Sequence, residues 1–79
     1  MATLHLISSP AGLERCLSRC AEGDVIVAMH DGCYAKLPEG SHRLSEHAAA
    51  RGLPPKPQDI DYDELVKLTV EHQPVVTWR

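Results

Sequence analysis

The residues with the widest chemical reach in this chain are three cysteines, Cys16, Cys20 and Cys33, and five histidines, His5, His30, His42, His47 and His72. A cysteine thiolate is a nucleophile, a soft metal ligand and the group that takes up a sulfane sulfur as a persulfide. Its reactivity follows its pKa and its exposure. The spacing argues against a structural metal: His42 and His47 are separated by four residues, yet no cysteine pair at zinc-finger spacing accompanies them. The acidic run Asp59, Asp61, Asp63 and Glu64 lacks the glycine and the closing glutamate of a calcium loop. The Asp31-Gly32 turn offers one glycine where a phosphate cradle uses several. The expectation is therefore no metal and no cofactor, and thiol chemistry is what remains to be weighed.

The three thiols sit in different local contexts. Cys16 shares an apolar stripe with Leu13, Leu17 and Cys20 at helical spacing. About two turns into its helix, it lies beyond the first turn in which the macrodipole favours an anion, and only Arg19, three residues on, reaches its side. Packing as a small apolar side chain competes with reactivity there. Cys20, one turn further along, reads as a packing residue, and a Cys16–Cys20 disulfide within one helix is geometrically poor. Cys33 falls just past the carboxyl end of the second strand, where open α/β sheets place ligands, and by position it is the most exposed candidate. Asp31 would raise its pKa, and a protonated His30 would lower it.

The elements that must position these groups follow from pattern and punctuation. Residues 3–8 read as a strand. Ser9-Pro10 is a helix start, because the serine oxygen caps a free N–H and proline has none to waste. The helix that follows is expected to end at Gly23. Residues 25–29 are apolar without alternation, as in a strand covered on both faces, and strand–helix–strand makes a right-handed βαβ unit. Between residues 37 and 58 the chain is broken by Pro38, Gly40, Gly52, Pro54, Pro55 and Pro57. A short helix is expected around Leu44, Ala48 and Arg51, then loop, then a short strand near Asp59. Asp61 and Glu64 resemble a capping box ahead of a helix over 62–71, which would bury a broad face drawn from Leu65, Val66, Leu68, Thr69 and Val70. Gln73-Pro74 stops it, and residues 75–78 read as a β-branched and aromatic terminal strand. Trp78 reads as a packing or interface residue.

Length and composition narrow the function. Seventy-nine residues make one domain, residues 1–79. With no Phe, two Tyr and one Trp, the core must be aliphatic and thin, which favours a partner subunit. A net charge of −3 and scattered cations disfavour direct nucleic-acid binding. No apolar run approaches the about 18 residues of a membrane span, and no secretory signal opens the chain. An odd number of cysteines without such a signal points to a reduced, cytoplasmic protein.

Read in order, the segments LHLISSP (4–10), CLSRCAEGDVIVAMHDGCYA (16–35), ARGL (50–53) and IDYDELVKLTVEHQPVVTW (60–78) resemble the DsrH/TusB family of sulfur-relay proteins. The resemblance covers about two-thirds of the chain, and the C-terminal segment is its most specific part. It implies a small α/β domain with three layers and an open, mainly parallel sheet, like the YchN and DsrE group. It implies one subunit of a hetero-oligomer with DsrE/DsrF-like or TusD/TusC-like partners. Such complexes deliver sulfur for 2-thiouridine at the tRNA wobble position, with tRNA contacted only indirectly, or handle sulfur during its intracellular oxidation. Within the family the place of Cys16 is that of a persulfide-carrying cysteine in DsrH-type members, whereas TusB-type members generally lack it; Cys33 is a weaker candidate. Family members are longer between the Asp31-Gly32 turn and ARGL, so the middle strand and much of its helix are expected to be shortened or absent here. Two further readings stand beside the carrier. In one the chain only scaffolds a partner's cysteine. In the other it is a stand-alone homo-oligomer that binds a small ligand at the carboxyl edge of the sheet, near His30–Cys33.

Overall fold

Alternation along the first strand decides which layer covers which face. In a computed structural model, which describes residues 2–79, β1 (Leu4–Ile7) sends Leu4 and Leu6 to one side of the sheet and His5 and Ile7 to the other. Next along the chain come α1 (Pro10–Leu17), β2 (Val25–Ala28), a 3₁₀ turn (His30–Tyr34), β3 (His42–Leu44) and α2 (Ser45–Ala50). The chain closes with β4 (Asp59–Ile60), α3 (Tyr62–Glu71) and β5 (Val75–Trp78). The strands lie in the order β4-β3-β2-β1-β5 and every pairing is parallel, with Leu4 opposite both Val25 and Val75.

Three layers result. On one face Leu4, Val27 and Leu44 pack under Leu65 of α3, with Leu6, Val25, Met29, Ile60 and Leu68 around them. On the other, Ile7 and Ile26 pack under Leu13 and Cys16 of α1, and Ala28 lies under Cys33 and Ala48 of α2. Leu4, Ile7, Val27 and Leu44 are fully buried, and each contributes about 1.5–3 kcal/mol of transfer free energy. The small, mainly parallel, three-layer sheet expected from the sequence is what forms, with five strands among the described residues.

The helix caps fall where the sequence put them. Ser9 Oγ accepts from the Gly12 N–H at 3.0 Å, with Pro10 in the first turn, and Asp61 Oδ1 accepts from the Glu64 N–H at 2.8 Å. Three expectations are corrected. First, α1 stops at Leu17 rather than running to Gly23. The Ser18 hydroxyl donates to the Arg15 carbonyl at 2.7 Å and the Arg19 N–H closes on the Cys16 carbonyl, which tightens the end into a turn. Leu17 is consequently half exposed, and Cys20 lies outside the helix. Secondly, Leu44, expected in the short helix with Ala48 and Arg51, closes strand β3 instead, and α2 covers only Ser45–Ala50; the middle strand and its helix are short, as expected, and β3 completes the sheet. Thirdly, α3 buries a narrower face than its composition suggested. Leu65 is buried, whereas Val66 and Val70 are 59% and 74% exposed.

The tighter of two close approaches fixes Gly32. Gly32, in the 3₁₀ turn, lies so near the Ile7 carbonyl that a Cβ placed there would overlap it, and that carbonyl already accepts the Met29 N–H at 2.8 Å. The glycine of the Asp-Gly pair therefore allows the turn after β2 to fold back onto the end of β1. Gly32→Ala must push the turn off the sheet. It is expected to cost about 1–3 kcal/mol in chemical denaturation, read from the shift of the unfolding midpoint.

Candidate functional site

A polar network runs along the sheet beneath α1, from Asp24 just before β2 through His5 of β1 to Trp78 at the end of β5. His5, 4% exposed, is engaged at both ring nitrogens: Trp78 Nε1–H donates to Nδ1 at 3.0 Å, and Nε2 meets Asp24 Oδ2 at 2.8 Å. Indole nitrogen only donates, so Nδ1 carries the lone pair and Nε2–H donates to the carboxylate. Asp24 also accepts the Thr3 N–H at 2.9 Å and the Ala21 N–H at 3.0 Å. The hydrogen bond from His5, and after it those from the two backbone N–H groups, hold the Asp24 carboxyl down at about 2.

Two of the three thiols adjoin this network. The sulfurs of Cys16 and Cys20 and a ring nitrogen of His5 all lie within 4.8 Å of one another. Cys16 is fully buried, and burial, reinforced by neighbouring Cys20 and Asp24, pushes its thiol up to about 11. Cys20 is partly exposed; burial and Asp24 raise its pKa while contact with the Cys16 thiol pulls it down. The three donor atoms have the character of a soft-metal site. As arranged, however, neither nitrogen of His5 has a free lone pair to offer, since Trp78 and Asp24 hold both.

Cys33 belongs elsewhere and is not the exposed thiol its position suggested. The 3₁₀ turn folds it back onto the end of β2, 4% exposed, with its sulfur 3.8 Å from the Ala28 carbonyl and Ala48, Leu37 and Leu53 packed around. Burial raises its pKa, opposed by Arg43 and Arg51. Nearby, buried Arg43 binds Asp59 through two nitrogens at 2.7 and 2.8 Å and the Pro54 carbonyl at 2.9 Å.

The carboxyl edge of the sheet carries a second polar cluster. His30, with φ +49, donates its backbone N–H to His47 Nδ1 at 2.8 Å, and the two rings stack 4.4 Å apart. His47 Nε2 meets the Tyr62 hydroxyl at 2.8 Å, and Arg51 binds Asp31 at 3.0 Å. Burial, then the neighbouring His30 and Arg51, lowers the His47 pKa. His42 and His47 do not converge, because His42 Nδ1 is 3.1 Å from the Gln58 carbonyl.

Sequence reasoning found the thiols but missed the His5–Asp24–Trp78 frame. Its one trace in the sequence is a histidine on a face of β1 otherwise committed to the core. The fold and this arrangement define a class: a small, all-parallel, three-layer α/β protein with a thiol pair set against a buried imidazole. The chain belongs to the family described as DsrH-like protein, whose model matches residues 8–75. Protein TusB of Pectobacterium parmentieri is 36% identical over 94 aligned positions, covering 95% of this chain and 99% of its own. Protein TusB of Pectobacterium atrosepticum is 35% identical over the same span. The 94 aligned positions exceed the 79 residues of this chain, so these relatives carry additional residues.

Because the Asp24 carboxyl is held below its ordinary value of 3.8, its contribution to stability is present above about 4 and is lost as pH falls towards about 2. Asp24→Asn is expected to flatten that part of the acid-unfolding profile, followed by Trp78 fluorescence. An unchanged slope between those pH values would show that the carboxylate is not held as described.

Proposed function

We propose that this chain is a cytoplasmic sulfur-relay subunit that works within a hetero-oligomer, docked on sister subunits of the TusC/TusD or DsrE/DsrF kind. The observation that carries the reading is the match, over nearly the full length of both chains, to relatives named TusB. A surface feature supports docking. Tyr62, Val66 and Val70 stand at i, i+4 and i+8 on α3, all exposed and apolar in a chain poor in core, and Val75 of β5 is exposed as well. No helix among the described residues is long and apolar enough to cross a membrane.

The name of the relatives favours delivery of sulfur towards wobble 2-thiouridine, with tRNA held by partner surfaces because this chain is net negative. Cys16 favours the sulfur-oxidation branch, since by resemblance a cysteine there marks DsrH-type members. Complementation separates the two: restored 2-thiouridine in a strain lacking its own relay subunit supports the first, and no restoration supports the second. Cys16 as carrier requires a route for sulfur to a thiol with no exposed surface, and its neighbour Cys20 is the partly exposed sulfur beside it.

The His30–His47–Tyr62 chain at the carboxyl edge favours the stand-alone, ligand-binding reading. Against it, no cavity is present among the described residues. Size exclusion of the chain alone and with sister subunits decides: co-elution supports the relay subunit, and self-assembly without co-elution supports the alternative. Val66→Asp with Val70→Asp is expected to weaken co-elution at least about tenfold while leaving the melting temperature within a few degrees, because both side chains already face solvent.

A further inference from the structure

We propose that Cys16 and Cys20 act as a working thiol pair. Cys20 takes up a sulfane sulfur at the surface, and Cys16 behind it discharges that sulfur as hydrosulfide and closes a Cys16–Cys20 disulfide. The inference rests on the sulfur-relay reading above and adds the fate of the sulfur on this chain.

Five observations converge on the pair. The two sulfurs lie within 4.8 Å of each other and of a His5 ring nitrogen. They differ in access as an attacking and a resolving thiol should, Cys20 partly exposed and Cys16 fully buried. The steric objection to a disulfide within one helix does not apply, because α1 ends at Leu17 and Cys20 follows a turn through Ser18 and Arg19. The third thiol, Cys33, is packed in a separate cluster. Burial holds both thiols above their ordinary value, Cys16 up to about 11; contact between them adds to the rise at Cys16 and offsets part of it at Cys20, which leaves the more accessible Cys20 as the first nucleophile.

The chemistry balances without an added oxidant. The Cys20 thiolate attacks the outer sulfur of a persulfide donor, forming Cys20–S–SH and releasing the donor's thiolate. Cys16 then attacks Cys20 Sγ. The Sγ–S bond breaks, the outer sulfur leaves with the electron pair, and together with the proton of the Cys16 thiol it departs as hydrogen sulfide. Sulfane sulfur is reduced and the two cysteines are oxidised to the disulfide. A dithiol reductant returns the pair to its starting state. The released product places the chain before a reaction that consumes inorganic sulfide.

The test uses the full chain, reduced and desalted, with glutathione persulfide as the donor, read by intact mass and by sulfide released. Wild type is expected to lose about 2 Da and to release about one equivalent of sulfide. Cys16→Ser is expected to retain an adduct of about 32 Da and to release at least about tenfold less sulfide. Cys20→Ser should carry neither change, and Cys33→Ser should behave as wild type. Should Cys16→Ser fail to fold, the Cys33→Ser chain is quenched early with an alkylating agent and digested. Cleavage after Arg15 and Arg19 isolates residues 16–19 from 20–36, and the first persulfide should fall on the second peptide. A stable adduct on wild type without sulfide, a Cys20→Ser chain that reacts as wild type, or unreacted thiols throughout overturns the pair. Unreacted thiols in a chain that still co-elutes with sister subunits overturn the pair alone. A reactive pair in a chain that elutes alone overturns the relay reading alone.

Discussion

The arrangement of this molecule depends on one buried imidazole with no unused nitrogen. His5 sits in β1, and its two partners come from the segments on either side: Asp24, immediately before β2, and Trp78, the last residue of β5. One side chain therefore links three neighbouring strands in the register their backbones adopt, with Leu4 opposite Val25 and Val75. Asp24 extends the link by accepting the Thr3 and Ala21 N–H groups, which ties the turn after α1 to the start of the sheet. A buried ring nitrogen left without its partner costs about 1–3 kcal/mol, so each of these contacts depends on the others.

The same frame forms one wall of the thiol pair. Since α1 runs back along the sheet, its carboxyl end brings Cys16 and the following Cys20 to the amino ends of β1 and β2, next to His5. Open parallel sheets more often use the opposite end. Here that end is occupied by the His30–His47–Tyr62 chain and the Asp31–Arg51 pair. The molecule thus has two chemically distinct poles: sulfur and imidazole at one, and stacked histidines with a phenol at the other. Family membership draws attention to the first, and strand topology to the second.

Much of this was readable in the residues. The Ser9-Pro10 and Asp61 caps, the unbroken apolar run of β2 and the β-branched tail of β5 are local signals, and each element starts where its signal stands. The errors came from competition that spacing does not record. Leu13, Cys16, Leu17 and Cys20 fit one stripe, yet the Ser18 hydroxyl bonding back to Arg15 ends α1 before the stripe is complete. Cys33 follows a strand end, where exposure is the usual outcome, but Gly32 lets the turn fold inward and buries the thiol. The candidate site was half legible. Its cysteines stand out by type, whereas His5, Asp24 and Trp78 are brought together from positions 5, 24 and 78 only by parallel pairing.

The two margins of the sheet are unequal. β4 has only two residues, it follows Pro54, Pro55 and Pro57, and Asp59 within it is clamped by Arg43. Short length and upstream prolines are how sheets refuse a neighbouring backbone. β5, at the other margin, is twice as long, with four residues, and has a single proline, Pro74, immediately before it. Backbone addition is therefore favoured on the β5 flank. A contact of that kind between two copies uses the open flank of each and leaves none to continue, so it ends in a closed pair instead of a fibre.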